Sequence, residues 1–281
     1  MILVTGASGQ LGRLVIDSLL ERIEASHIIA AVRHPDSVND LVEKGIQVRQ
    51  ADYSEPESLK TAFAGVEKLL LISSSEVGQR AAQHKNVINA AKAAGVSLIA
   101  YTSILKADTS PLILAEEHVA TEKLLADSGV PYVLLRNGWY SENYTMGIAT
   151  TLEYGLVGCA GEGLLSTAAR ADYAAAAAVV LVQDAQAGKI YELAGDHAFT
   201  LSDYAAAITK VSGKKVAYQN VSEAEYAKIL VGAGLPEGFA GILANSETGA
   251  SLGGLYSTSK ALSTLIGRPT TPIEDSIKAA L

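Results

Sequence analysis

The segment that constrains this chain most is Leu3-Val-Thr-Gly6-Ala-Ser-Gly9-Gln-Leu-Gly12. The apolar run Ile2–Val4 reads as a buried strand. Three glycines follow with the spacing G-x-x-G-x-x-G, and an apolar helical pattern then runs through Leu11, Leu14, Val15, Leu19 and Leu20. Glycines allow a tight turn and a close approach of backbone to ligand, and the following helix directs its positive end at that turn. Strand, turn and helix together predict the first βαβ unit of a dinucleotide-binding sheet, with the pyrophosphate at the helix start. A tight glycine turn that holds no ligand is the competing reading.

The pattern continues beyond this unit. Apolar strand segments at 27–33, 46–50, 68–73, 97–102 and 132–136 alternate with helical segments at 10–22, 38–44, 56–63, 79–94 and 116–127. Such alternation with short turns predicts a doubly wound parallel sheet, a Rossmann-type α/β fold. Residues 1–136 are expected to form this core, and residues 137–281 mostly a small C-terminal α+β substrate lobe, with some segments returning to the core. In that second half, an alanine-rich helix is expected at 170–183 and strands at 189–193 and 216–219. Thr200-Leu-Ser-Asp203 reads as a helix start with a threonine cap and an acid three residues on. Further helices are expected at 222–232, 236–246, 257–266 and 273–281.

Composition narrows the function. With 49% hydrophobic and 19% charged residues the chain is globular, and a net charge of −8 argues against nucleic-acid binding through a basic surface. The longest apolar stretch, Tyr173 to Val182, is too short to span a bilayer. One cysteine, Cys159, and no signal-peptide pattern lead to the expectation of a reducing cytoplasm. The five histidines are scattered, so no metal site is expected.

Cofactor choice is written at the end of the second strand. A carboxylate there would hold a ribose 2′-hydroxyl; this chain has Arg33, whose guanidinium suits a 2′-phosphate. NADPH is therefore expected over NADH, the alternative being that Arg33 is an ordinary solvated arginine. Asp52, after the third strand, either accepts from the adenine amino group or caps the next helix. Ser73, Ser74 and Ser75 end the fourth strand on the side where ligands bind in such sheets, through backbone and hydroxyl groups, or form a polar turn.

With these pieces in place the chain resembles the NmrA-like group of atypical short-chain dehydrogenase/reductases. The resemblance rests on 66–80 and 86–103, on Leu134-Leu-Arg-Asn-Gly-Trp-Tyr-Ser-Glu-Asn143, on Arg170-Ala-Asp-Tyr173 and on Leu265-Ile-Gly-Arg-Pro269. It is similar above all to the bacterial quinone reductases of that group, and more distantly to its triphenylmethane dye reductases. The resemblance implies hydride delivery from NADPH to a quinone. It also implies a cofactor site of Gly6, Ala7, Ser8, Gly9, Gln10, Leu11, Arg33, Ser73, Ser74, Ser75, Asn137, Gly138, Trp139, Tyr140, Ser141, Glu142 and Arg170.

One departure bears on mechanism. Ordinary members of the wider family carry Tyr-x-x-x-Lys on the helix after the fifth strand. Counted back from Glu122, those positions hold Leu114 and His118, while Ser103 fits the place of the family's serine. A ketone reductase needs that positioned acid. A quinone does not, because hydride addition yields a phenolate that water can protonate later. His118 is the remaining candidate for a catalytic side chain, or else an ordinary helix histidine. Trp139, Tyr140 and Tyr144 either stack a flat substrate or, for Trp139, pack the lobe. Asn137 is expected to donate from its amide to cofactor or substrate, and Arg170 either reaches the cofactor or forms a structural ion pair. A non-enzymatic NADP(H)-binding redox sensor and a reductase of cationic dyes or imines are the alternative functions. A homo-oligomer remains open.

Overall fold

The computed structural model describes all 281 residues, Met1–Leu281. In chain order its strands are β1 (Ile2–Val4), β2 (Ile28–Val32), β3 (Gln47–Gln50), β4 (Lys68–Leu71), β5 (Leu98–Ile104), β6 (Tyr132–Asn137), β7 (Leu156–Gly158), β8 (Ile190–Leu193) and β9 (Tyr218–Asn220). The helices are α1 (Gln10–Leu20), α2 (Asn39–Glu43), α3 (Pro56–Ala62), α4 (Arg80–Ala93), α5 (Ala115–Ser128), α6 (Glu142–Thr145), α7 (Ile148–Tyr154), α8 (Arg170–Val182), α9 (Leu201–Ser212), α10 (Glu223–Gly232), α11 (Glu237–Ser251), α12 (Ala261–Ile266) and α13 (Ile273–Ala280).

Seven strands form one sheet in the order β3-β2-β1-β4-β5-β6-β8, and β1 to β6 pair in parallel. This is the expected Rossmann-type topology. The order reverses between β1 and β4, and the crevice at their carboxyl ends is where such sheets bind ligands. The central strands are buried along their whole length, as a sheet covered on both faces requires.

Two compact units are present. The first comprises residues 1–104, 117–137 and 170–191; the second comprises 105–116, 138–169 and 192–281. In the first, α1 buries Val15, Ile16 and Leu19 completely, each worth about 1.5–3 kcal/mol of apolar burial. Helix α8 packs against α1. Its small side chains Ala174, Ala177 and Ala178 are buried and permit close approach. The Lys68 ammonium donates to the carbonyls of Leu181 (2.9 Å) and Gln183 (3.1 Å) and so satisfies the end of α8.

In the second unit β7 and β9 form a two-stranded parallel sheet. Helix α9 opens on the expected capping box, with Thr200 and Asp203 exchanging hydrogen bonds. Glu247 of α11 is buried and accepts the Cys159 N–H at 2.6 Å. Burial pushes this carboxyl up to about 7. Three elements, α6, α7 and β7, had no sequence signal, and the helix expected at 38–44 is the shorter α2, preceded by a 3-10 turn at Pro35–Val38.

Candidate active site

The glycine turn has the geometry its sequence requires. Gly6 has φ +57°, a left-handed conformation that glycine adopts without steric cost. A Cβ on Gly12 would lie 2.4 Å from the Gly6 carbonyl oxygen and 2.7 Å from Cα of Ala7, so only glycine lets α1 start this close to the turn. Gly9 is the N-cap of α1, and no side chain caps the helix or places an acid in its first turn. The first N–H groups of such a helix have no intrahelical acceptor. Gly6, Ser8, Gly9 and Gln10 are exposed, whereas Ala7 and Leu11 are buried. The turn is thus an accessible, uncapped cradle suited to an anion.

Arg33 follows β2 and is exposed; its Nη1 lies 3.2 Å from Oε1 of Glu76, in the loop after β4. Asp52 caps no helix: its Oδ1 accepts the Ser54 N–H, and Glu55 is the N-cap of α3.

The serines after β4 are largely committed to the protein. The Ser73 N–H donates to Oγ1 of Thr102 (2.8 Å), and the Ser74 N–H donates to Nε2 of His84 (3.0 Å). The Ser74 carbonyl accepts Nε–H of Arg80, and its hydroxyl accepts the Glu76 N–H. The backbone N–H groups of Ser73 and Ser74 are therefore already used.

Behind this loop lies a buried polar network that sequence reading missed. His84 accepts at Nε2, so its proton is on Nδ1, which lies 2.8 Å from Oγ1 of Thr121. Burial, with the Arg80 cation second, pushes this ring down to about 3. His118 is 6% exposed. Its Nε2 faces Nη1 of Arg80 at 3.5 Å, and its Nδ1 lies 2.8 Å from the Tyr101 hydroxyl. A guanidinium has no lone pair to accept with, so the one proton of the neutral ring is on Nδ1 and points at Tyr101. Burial first, then Arg80 and His84, pushes His118 to about 3. Arg80, His84, Val87, Ile88 and Ala91 share one face of α4. Polar residues at i, i+4 on an apolar face were the signal available for this network.

The serine position is also occupied. Ser103 donates its hydroxyl to Oε1 of Glu122 at 2.5 Å. Glu122 in turn receives Nε and Nη2 of Arg136 at 3.0 and 2.7 Å, a bidentate pair with side chains only 13% and 8% exposed. One residue on, at the carboxyl end of β6, Asn137 is buried and its Oδ1 has no hydrogen-bond partner. That oxygen is a buried acceptor without a partner. Arg170 begins α8 in the first unit and is partly buried.

Gly138 to Glu142 belong to the second unit. The Gly138 N–H donates to Leu193 O, the Ser141 N–H donates to Ala168 O, and the Ser141 and Thr167 hydroxyls lie 2.9 Å apart. Trp139 and Tyr140 are partly buried. The Tyr144 ring packs 5.7 Å from that of Tyr204, and its buried hydroxyl has no partner.

An accessible glycine turn, an uncapped α1, an arginine after β2 and an orphaned acceptor at the end of β6 all fit a phosphorylated dinucleotide. Residues 6–184 match the NAD(P)H-binding family, and the chain belongs to it. More specifically, it is 60% identical over 278 residues to quinone oxidoreductase 2 of Escherichia coli, covering 99% of this chain and 97% of that protein. The structure is similar to that of the E. coli NADPH-dependent quinone oxidoreductase complexed with NADPH, with TM-score 0.97, 59% identity and 99% of each chain covered. It is also similar to the triphenylmethane reductase of Citrobacter sp. complexed with NADP(H), with TM-score 0.96, 42% identity and 100% of each chain covered.

Proposed function

We propose that this protein is an NADPH-dependent oxidoreductase that reduces quinones. The observation that carries the reading is the full-length identity of 60% to quinone oxidoreductase 2. The bound dinucleotide supplies a hydride to the electrophile. The chain supplies binding, orientation and electrostatics. Gly6 to Leu11 and the start of α1 take the pyrophosphate, and Arg33 takes the 2′-phosphate by charge-assisted hydrogen bonds. Ser73 and Ser75 contribute through their hydroxyls, and Asn137 Oδ1 accepts from a cofactor N–H or O–H. Arg170, at the start of α8, completes the cofactor contacts of the first unit, and Trp139, Tyr140 and Tyr144 of the second unit supply aromatic surface suited to a flat substrate.

No side chain is needed as a proton donor. The tyrosine position is Leu114, and the His118 proton is engaged by Tyr101. Water protonates the phenolate formed by hydride addition, so the catalytic contribution is proximity and orientation, worth up to about 7–11 kcal/mol in favourable cases. No helix is long and apolar enough to cross a membrane. The single cysteine agrees with a cytoplasmic site of action.

The test is oxidation of NADPH and NADH, in parallel, with a simple benzoquinone, an aliphatic ketone and a cationic triphenylmethane dye. Quinone turnover with NADPH preferred, and no ketone turnover, is expected. Tight NADPH binding without turnover of any acceptor would make the protein a dinucleotide sensor and overturn the proposal.

A further inference from the structure

Arg33, the residue proposed to take the 2′-phosphate, faces a carboxylate. Glu76 Oε1 is 3.2 Å from Arg33 Nη1 and is the one partner of that guanidinium. Glu76 is anchored from behind. Its Oε2 accepts Nε2 of Gln83 at 2.9 Å, and its backbone N–H donates to the Ser74 hydroxyl at 3.1 Å. Gln83 is itself buried on α4, and its Nε2 also reaches the Ser54 hydroxyl at 3.2 Å. The acid is thus held against Arg33 by a fixed amide, although the pair is solvent-facing, with side chains 61% and 48% exposed.

Two consequences follow from charge alone. A 2′-phosphate, dianionic near neutrality, must displace this carboxylate from Arg33 or share the cation with it at close range. Either route weakens phosphate binding relative to an unopposed arginine. The 2′,3′-diol of a dinucleotide without the phosphate meets no such repulsion, because hydroxyls donate to a carboxylate. We propose that Glu76 is a specificity-determining residue that, by occupying Arg33, limits the preference for NADPH over NADH. This rests on the reading of Arg33 as the 2′-phosphate ligand. Gln83 is the positioning residue that keeps Glu76 there.

The experiment is calorimetric titration of the full-length protein with adenosine 2′,5′-bisphosphate and with 5′-AMP, at low and high salt. The variants are Glu76→Gln, Glu76→Ala and Arg33→Gln. Both Glu76 variants should bind the bisphosphate about three- to ten-fold more tightly than the unmutated protein, the range expected from losing an exposed pair and a nearby like charge. Their affinity for 5′-AMP should not rise, because its diol loses the Glu76 carboxylate as an acceptor, and an unchanged circular-dichroism spectrum shows that the variants are folded. The gain should shrink at high salt, because exposed charges are screened. Arg33→Gln should bring the two ligands to similar affinity. If Arg33→Gln leaves the bisphosphate preference intact, the assignment of Arg33 itself fails. If Arg33→Gln abolishes the preference while both Glu76 variants bind the bisphosphate no more tightly than the unmutated protein, the role of Glu76 alone is refuted.

Discussion

The Tyr101 hydroxyl lies 2.8 Å from Nδ1 of His118, and Arg80 faces the opposite ring nitrogen. This arrangement fixes the tautomer of the one histidine that stands where the wider family has its lysine. A ring whose single proton is held by Tyr101 and whose lone pair faces a cation is a structural element. His118→Asn, which keeps an N–H for Tyr101, should therefore lower quinone turnover by less than the ~10²–10⁴-fold typical of losing a general acid. Single-turnover NADPH oxidation from pH 5 to 9 should give a flat profile. A loss of ~10³-fold or more, together with a wild-type rate that follows one ionisation near neutrality, would falsify solvent protonation.

The same histidines make stability depend on pH. His84 and His118 are neutral in the folded chain, with values near 3 against 6.5 for an unperturbed ring. Below about pH 6.5 the unfolded chain takes up protons that the folded chain refuses, so stability present above that pH is lost on acidification. Each ring contributes at most ~1.4 kcal/mol per pH unit to that loss. Glu247 acts in the opposite sense. Its value is raised to about 7 from 4.5, so the stability it contributes is present below 4.5 and is lost as pH rises through 7. Denaturant unfolding at pH 7 and pH 5 separates the two. His118→Asn should lose less stability on acidification than wild type, and Glu247→Gln should lose more. Identical acid dependence in wild type and His118→Asn would contradict the buried neutral ring.

The Glu122–Arg136 pair is a structural investment at the serine position. Glu122→Gln removes the charge opposite a buried guanidinium and should cost on the order of 3 kcal/mol. Ser103→Ala removes one hydrogen bond to a charged group and should cost about 1.5–3 kcal/mol. It should leave the kcat for quinone nearly unchanged, because Ser103 donates to Glu122. Equilibrium unfolding gives the stabilities, and steady-state kinetics gives kcat. A large fall in kcat with unaltered stability in Ser103→Ala would return that hydroxyl to the reaction.

What was legible in the sequence is what local chemistry dictates. The glycine turn requires glycine at Gly6 and Gly12 for steric reasons, and the Thr200–Asp203 box satisfies helix-end donors within three residues. The alternation of β1 to β6 with helices follows from burial on both faces of the sheet. Contacts distant in sequence were not legible. Arg33 meets Glu76 across 43 residues, and the meaning of His118 depends on Tyr101 from β5 and Arg80 from α4. Residues 138–160 carry no clear period, so α6, α7 and β7 could not be read from pattern.

The glycine turn gives a prediction that separates folding from binding. At Gly12 a methyl group would meet backbone atoms at 2.4 and 2.7 Å, and backbone cannot move aside without shifting α1 from β1. Gly12→Ala should therefore destabilise the fold itself, by the ~1–3 kcal/mol typical of overpacking or more. Gly9 differs. Its φ of −76° is open to any residue, and a Cβ there would meet one backbone atom, the Gly6 carbonyl oxygen at 3.2 Å, a tight contact that a small shift relieves. Gly9 is exposed at the mouth of the turn, so a branched side chain projects into the space where the pyrophosphate must approach the backbone. Gly9→Val should stay folded, with a smaller fall in melting temperature than Gly12→Ala, and lose NADPH binding. Circular dichroism melting and titration by the fluorescence of NADPH measure the two effects independently. Undiminished NADPH affinity in Gly9→Val would place the phosphates away from this turn, whatever the behaviour of Gly12→Ala.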